Sequence, residues 1–303
     1  MYSHFFNVTV CLLWLSTMTW LVTQKVLPSL WVGEPPSYQT ILEAQQREPP
    51  GGWNLFINDK RLGWAISTIE GQEQGPKEIH SHVHFDELPL AEMTRGWVRV
   101  LIRMIEQPVD NFQMDVYSTL SLDSLGKLSR FDSRVQLEPV NKILRMFGSV
   151  DGSQLHVEIH SSDFSYSSEV MLPQHALLSD ALSPQTQLPN LRMGQTWTVP
   201  AFSPLCPTNS PFELLHATVR GKEPFFWNGE IHDAWLVVYQ SDPGLVFGAN
   251  SRPRGSLWVL DDGRVIKQQA MIFDSTLSFV RMSEEDAAEL VIKCQEEASN
   301  IGF

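Results

Sequence analysis

From Trp53 onward, apolar side chains recur at every second position. Lys77–Phe85 sets Ile79, Val83 and Phe85 on one face. Phe112–Leu122 does the same with Met114, Val116, Leu120 and Leu122. Lys127–Leu137 sets Phe131, Val135 and Leu137 against Arg130, Asp132, Arg134 and Gln136. Successive strand side chains point to opposite faces, so this alternation predicts antiparallel strands with one packed and one wet face. Gly96–Met104 is a further β-rich run. Asn58-Asp59, Ser124-Leu125-Gly126, Asp151-Gly152 and Asp261-Asp262-Gly263 supply the backbone angles of tight turns.

The alternation stops between Pro173 and Pro211, where seven prolines fall. A short helix over Gln174–Leu182, followed by loops crossing the sheet, is expected there. Strands resume at Phe212–Arg220, Glu230–Gln240, Gly255–Leu260, Arg264–Phe273 and Thr276–Met282. The chain then switches to helical spacing. Ser283 is placed as the N-cap, Glu284, Glu285 and Asp286 suit the positive helix N-terminus, and Ala287, Leu290, Val291 and Cys294 form an apolar stripe. The pattern is mainly β, with one helix at each end.

The first residues obey a different rule. Phe5–Val22 carries eighteen residues without a charged side chain. As a helix it would reach roughly 27 Å, close to the hydrocarbon thickness of a bilayer. Only His4 and the terminal amine stand before it, no small-x-small site follows, and Cys11 comes after Val10 rather than a small residue. These features favour an uncleaved transmembrane anchor over residues 5–22, within an anchor region 1–32. A cleaved signal and a buried core helix are the alternatives, the second disfavoured because no polar stripe is present. Residues 33–52 hold two Pro-Pro pairs and end in Gly51-Gly52, which reads as a linker with a short helix at Tyr38–Gln46. Residues 53–303 form the β-domain and its C-terminal helix. Lys25 and Arg47 lean weakly toward a cytoplasmic C-terminus.

Charge narrows the partners. With 35 acidic and 22 basic residues the net charge is −13, opposed to the basic stripe that nucleic-acid binding needs. Three cysteines are too few for a disulfide scaffold. Cys206 and Cys294 are either a pair or two free thiols. No H-E-x-x-H, G-x-S-x-G, Walker A, G-x-G-x-x-G or C-x-x-C motif occurs, and no cofactor is called for.

Two histidine rows remain. His80, His82 and His84 share one strand face, where neighbours roughly 6.6 Å apart can reach one metal ion and the outer two cannot. His156, Glu158 and His160 repeat the geometry about five strands away. A polar solvent face accounts for both. A metal site at His80 and His82, with Asp86 or Glu87, is the alternative. The aromatics offer another candidate: Trp64, Trp97, Trp197, Trp235, Trp258 and Phe131 either pack the core or line a ligand surface. Phe225, Phe226 and Trp227 before Asn228-Gly229 read as an apolar loop tip for a membrane or partner.

The hairpin LFINDKRLGWAISTIE, the strand LRMGQTWTVPAFSP, DAWLVVYQ and the closing GSLWVLDDGRVIKQQA together resemble a group of bacterial envelope proteins. The chain is similar over Trp53–Met282 to the DUF3108-like domain and the wider lipoprotein-carrier (LolA/LolB-like) architecture. The resemblance implies an exported domain, a strongly curved antiparallel sheet or half-barrel, whose concave face can hold acyl chains. It departs from that group in its anchor-like N-terminus and its C-terminal helix.

Together these readings lead to an expectation of a single-pass inner-membrane protein. Its soluble domain would lie on the periplasmic side, be non-enzymatic, and bind an apolar ligand or lipid in the curved sheet. The alternatives are a structural adaptor that contacts an envelope protein partner, and a metal-assisted hydrolase built on His80, His82 and His84.

Overall fold

The computed structural model describes residues 2–23, 36–45, 49–71, 75–87, 112–124, 126–138, 142–161, 165–171, 179–180, 183–202, 212–241, 253–272 and 275–301. The alternating segments become strands where the period predicts them. They are β1 (Gly51–Ile57), β2 (Lys60–Gly71), β3 (Lys77–Phe85), β4 (Gln113–Leu122), β5 (Leu128–Glu138), β6 (Lys142–Asp151), β7 (Gln154–His160) and β8 (Ser165–Met171). The second set is β9 (Ser179–Asp180), β10 (Thr196–Phe202), β11 (Phe212–Trp227), β12 (Glu230–Ser241), β13 (Gly255–Val259), β14 (Val265–Ile272) and β15 (Ser275–Arg281). Helices are α1 (Tyr2–Leu21), α2 (Tyr38–Gln45) and α3 (Glu284–Ile301).

All fifteen strands belong to one sheet in the order β8-β7-β6-β5-β4-β3-β2-β1-β15-β14-β13-β12-β11-β10-β9. Two meanders run outward from a central antiparallel pair of the first and last strands, with Trp53 opposite Arg281 and Leu55 opposite Phe279. The sheet is one continuous unit, and among the described residues it is not closed, since β8 and β9 lie at its ends. Twist of roughly 20° per strand step obliges a sheet of this width to coil. Every pairing is antiparallel except β9 with β10, where Ser179 and Asp180 lie parallel to Ala201 and Phe202. Strand β9 therefore stands inside the segment Gln174–Leu182, where a helix was expected, and the rest of that segment lies outside the described residues. Gly96–Met104 also lies outside them.

Turn chemistry sets the register. Asn58 and Asp59 adopt φ of 47° and 67°, the doubly left-handed turn that matches strand twist. Asn228 and Gly229 do the same at 51° and 86°. This second turn revises the reading of Phe225–Trp227 as a loop tip. The three residues are the last rungs of β11, paired with His232, Ile231 and Glu230. They therefore alternate between faces instead of clustering.

The packed face carries the main core. It gathers Trp53, Leu55, Ala65, Val83, Phe85, Val116, Val135, Val199, Val219, Val237, Val265 and Phe279, all at most 4% exposed. The residues expected as a linker contribute to it: Ile41 and Leu42 of α2 are buried in this core, and Gly51 and Gly52 already belong to β1. Leu188 and Leu191 add a second internal covering. Their segment is laced to the sheet by Val265 N–H to Thr186 O and Leu188 N–H to Gly263 O. Arg281, 8% exposed, donates to the same Thr186 carbonyl at 3.0 Å and lies over the Trp53 ring. A second patch, Phe131, Met146, Leu155 and Val157, continues the packed face outward along β5–β7.

Helix α3 begins as its sequence directs, with the Ser283 hydroxyl accepting from Asp286 N–H at 3.1 Å. It then packs against β1 at a glycine. A methyl group on Gly52 would stand 2.7 Å from Ala287 Cβ. Gly52→Ala should therefore cost about 1–3 kcal/mol through overpacking. Because Ala287→Gly reopens the space, the double variant should cost less than the two singles added together. Thermal or denaturant unfolding of the four proteins checks this; strict additivity would mean that the close approach does not limit docking of α3.

Candidate functional site

The other face of the sheet holds most of the polar chemistry. On β3, residues 80, 82 and 84 point away from Ser81, Val83 and Phe85, which enter the packed face. Register then sets His84 opposite Asp115, His82 opposite Tyr117 and His80 opposite Thr119. On the other side of β3, Trp64 of β2 is opposite His84. Two imidazoles converge on one carboxylate oxygen: His82 Nε2 and His84 Nδ1 each lie 2.8 Å from Asp115 Oδ1. A carboxylate only accepts, so both nitrogens donate. The ring of Trp64 stands edge-on to His82 and stacks on His84, and Tyr117 stacks on the other side of His82 at 4.2 Å. His84 Nε2 also lies 3.4 Å from Asp86 Oδ1.

This packing acts on the titratable groups. Burial opposes the charge on Asp115, but hydrogen bonds and positive charge from His82 and His84 outweigh it and hold the carboxyl at about 2, below its ordinary 3.8. Burial, reinforced by Asp115, pushes the Tyr117 phenol up to about 12.

The histidines pair differently from the arrangement that the metal-site alternative requires. His80 bonds Thr119 Oγ1 through Nδ1 at 3.1 Å, with Glu78 and Glu70 farther off at 3.5 and 3.8 Å. The proposed metal pair His80 and His82 thus turns to separate partners, while His82 and His84 share one. Among the described residues no group of three or more His, Cys, Asp or Glu side chains is placed to hold a metal ion. Strand β7 is four steps from β3, about 19 Å at the usual spacing. His156 there approaches Glu169 at 3.4 Å, and His160 approaches Glu158 at 3.2 Å.

Of the six aromatics proposed as a ligand lining, the five described do not share a surface. Trp197 and Trp235 pack against the main core, Phe131 belongs to the second inner patch, Trp64 and Trp258 lie on the opposite face, and Trp97 falls outside the described residues. Trp258 joins Phe225, Trp227, Ala234, Leu260 and Ile266 in a small cluster of its own. This cluster arises from a β-bulge. Pairing shifts between Val219 and Gly221, leaving Arg220 as the extra residue, and the following residues exchange faces. Phe225 and Trp227 then turn toward β13–β15, and Trp227 Nε1 donates to the Arg281 carbonyl at 2.9 Å. Lys267 Nζ lies over both Phe225 and Trp258. Phe226 and its cross-strand partner Ile231 remain 69% and 73% exposed.

Beside the histidine cluster, α3 and the β1–β2 hairpin enclose an open groove of about 630 Å³. Asn54, Arg61 and Trp64 line its sheet side, and Met282, Asp286, Glu289, Leu290 and Lys293 its helix side. Sequence reasoning identified Trp64 and the α3 stripe separately. It missed Asp115 and the groove, because both depend on which strand is the neighbour. Cys294 forms no disulfide among the described residues, and Cys206 lies outside them.

At the other end of the chain, α1 exposes Phe6, Leu12, Leu13, Trp14 and Trp20 at 59–69%. Among the described residues no helix is long and apolar enough to cross a membrane. Asn7, Thr9, Ser16, Thr17 and Thr19 interrupt the apolar run of α1.

No protein-family model matches the chain, and no curated protein does. Among solved structures it is similar to a beta-barrel-like protein of domain of unknown function DUF1849 from Brucella abortus. That match has a TM-score of 0.45 and 10% identity, covering 77% of this chain and 96% of the other. It is also similar to a DUF1089 family protein from Pseudomonas aeruginosa, with a TM-score of 0.32 and 16% identity, over 67% and 87% of the two chains. Neither likeness defines a family, and neither names the DUF3108-like or lipoprotein-carrier groups.

The Asp115 cluster predicts an acid-dependent loss of stability. A carboxyl whose folded value is depressed contributes fully above its unfolded value of 3.8, and the contribution disappears as pH falls toward about 2. The displacement corresponds to roughly 2 kcal/mol. Asp115→Asn should therefore be less stable than the parent at pH 6, with the gap closing near pH 2. Denaturant titrations at both pH values check this; an equal gap at each would mean that the imidazole contacts do not hold the charge.

Proposed function

We propose that the chain is a membrane-attached, non-catalytic binding protein of envelope type. In this reading α1 is seated in lipid, and the sheet presents a ligand site in the groove between α3 and β1–β2. The observation that carries the membrane part is the exposure of α1. Residues 12–15 (Leu-Leu-Trp-Leu) are all exposed, so apolar side chains face every direction around the helix. A surface of that extent is a contact site, and lipid is the partner that accepts apolar groups from all sides. The resemblance to envelope proteins favours the periplasmic side of an inner membrane for the sheet. Adaptor contacts with another envelope protein are the second reading, favoured by the exposed Phe226–Ile231 pair at the β11–β12 turn.

The location of the ligand site follows from packing. A concave-face site needs free apolar surface, and the packed face is already covered by Ile41, Leu42, Leu188 and Leu191. The groove is open, and its walls carry both apolar and charged groups. Those features support binding at the polar face in place of acyl-chain storage inside the sheet.

Membrane fractionation tests the attachment. The full chain should sediment with membranes and stay there through high-salt and alkaline washes, while Leu12→Arg with Leu13→Arg should move most of it to the soluble fraction. A parent chain that is soluble from the outset would overturn this reading.

A further inference from the structure

The groove between α3 and the β1–β2 hairpin is lined by charges of both signs, Arg61 and Lys293 together with Asp286 and Glu289. On its helix side, Asp286, Glu289, Leu290 and Lys293 follow the i, i+3, i+4, i+7 spacing of a single helical stripe. On its sheet side stand Arg61, Trp64 and Asn54. Asp286 is engaged by the Ser283 hydroxyl at 2.7 Å. Arg61 and Glu289 line the same groove, yet among the described residues neither enters an ion pair, with the other or with any third group. They are both exposed, and the indole of Trp64 and the side chains of Met282 and Leu290 lie in the same lining.

We infer that this groove binds a zwitterion, with its anionic group on Arg61, its ammonium on Glu289, and its connecting carbons over Trp64. The inference rests on the binding reading above and names the ligand class for that site. Arg presents a planar fork of donors that matches a phosphate or carboxylate. Glu289 supplies the opposite charge, and the face of an indole attracts an ammonium group. A simple anion would meet the carboxylates of Asp286 and Glu289 in the same lining, and a simple cation would meet Arg61 and Lys293. A molecule carrying both charges satisfies both walls, so selectivity comes from repulsion of the singly charged alternatives as well as from attraction. Trp64 is held in place for this role by the histidine cluster, since its ring stacks on His84 and meets His82 edge-on. Two sources share this chemistry: the headgroup of a zwitterionic phospholipid, and a short peptide or amino acid with free termini.

Calorimetric titration of the full chain in neutral maltoside micelles tests the inference. The probes are O-phosphoethanolamine for the headgroup source and glycyl-leucine for the peptide source, with inorganic phosphate and ethanolamine as singly charged comparisons. At least one zwitterion should bind tenfold or more tightly than either singly charged probe, and the stronger of the two identifies the source. Arg61→Gln and Glu289→Gln should each weaken that binding at least tenfold without changing the melting temperature, as expected for exposed side chains. Zwitterion binding that both substitutions leave unchanged overturns the assignment. Equal or tighter binding of phosphate or ethanolamine, lost in Trp64→Ala, overturns the zwitterion class while leaving the groove as a binding site. No binding by any of the four overturns the inference, whereas the membrane part of the broader reading fails separately, in the fractionation.

Discussion

Everything in this fold depends on the pairing of its first strand with its last. Strands β1 and β15 run antiparallel through five matched positions, from Trp53 with Arg281 to Ile57 with Leu277. Among the described residues this is the one strand pairing between the two meanders, and it turns two halves into a single sheet. Its residues are correspondingly sealed: Trp53, Leu55 and Phe279 are fully buried and Leu277 is 1% exposed. Closing a loop of more than two hundred residues carries an entropy cost that grows only slowly with length. The cost falls mainly on folding rate, because this contact cannot reward the chain until both ends meet.

The same pair determines where the two faces acquire different roles. On the packed side, Arg281 lies over Trp53 and ties the Thr186 segment to the centre of the sheet, so the chain covers its own apolar surface. On the other side, Gly52 lets α3 approach closely enough for Ala287 to rest on β1. One strand thus positions an internal covering on one face and a helix on the other. The groove exists because α3 contacts β1 at this glycine while Asn54 and Trp64, farther along the hairpin, line the space beside the helix.

Local structure was legible in the sequence wherever a single strand or turn determines it. The alternation of β3, β4 and β5, the turn at Asn58-Asp59 and the Ser283 cap depend on residues close to one another in the chain. What stayed hidden depends on neighbours. Asp115 has no distinctive spacing from His82 or His84 in the sequence; only the register of β3 with β4 brings it to them. The same holds for the aromatics: Trp197 and Trp258 look alike along the chain, yet they lie on opposite faces. The bulge at Arg220 concealed the fate of Phe225 and Trp227, because one additional residue reverses every later side chain on that strand. Ile41 and Leu42 were read as linker because Pro-Pro and Gly-Gly surround them, but burial follows the space available beside the sheet.

The histidine cluster links the sheet's architecture to its chemistry. Three histidines on alternate positions would ordinarily be a solvated row. Here the two that share Asp115 are held by a common acceptor and by ring contacts, His84 on Trp64 and His82 on Trp64 and Tyr117. Trp64 belongs both to this cluster and to the groove lining, so the rigidity of the cluster is passed to one wall of the groove. A preorganised aromatic wall loses little freedom when a ligand arrives, whereas Arg61 and Glu289, both exposed, supply charge from flexible side chains. That division, with shape held by the sheet and charge supplied at the rim, is what a recognition surface requires. In the proposed binding role it places selectivity in Arg61 and Glu289, which line one groove and form no ion pair among the described residues.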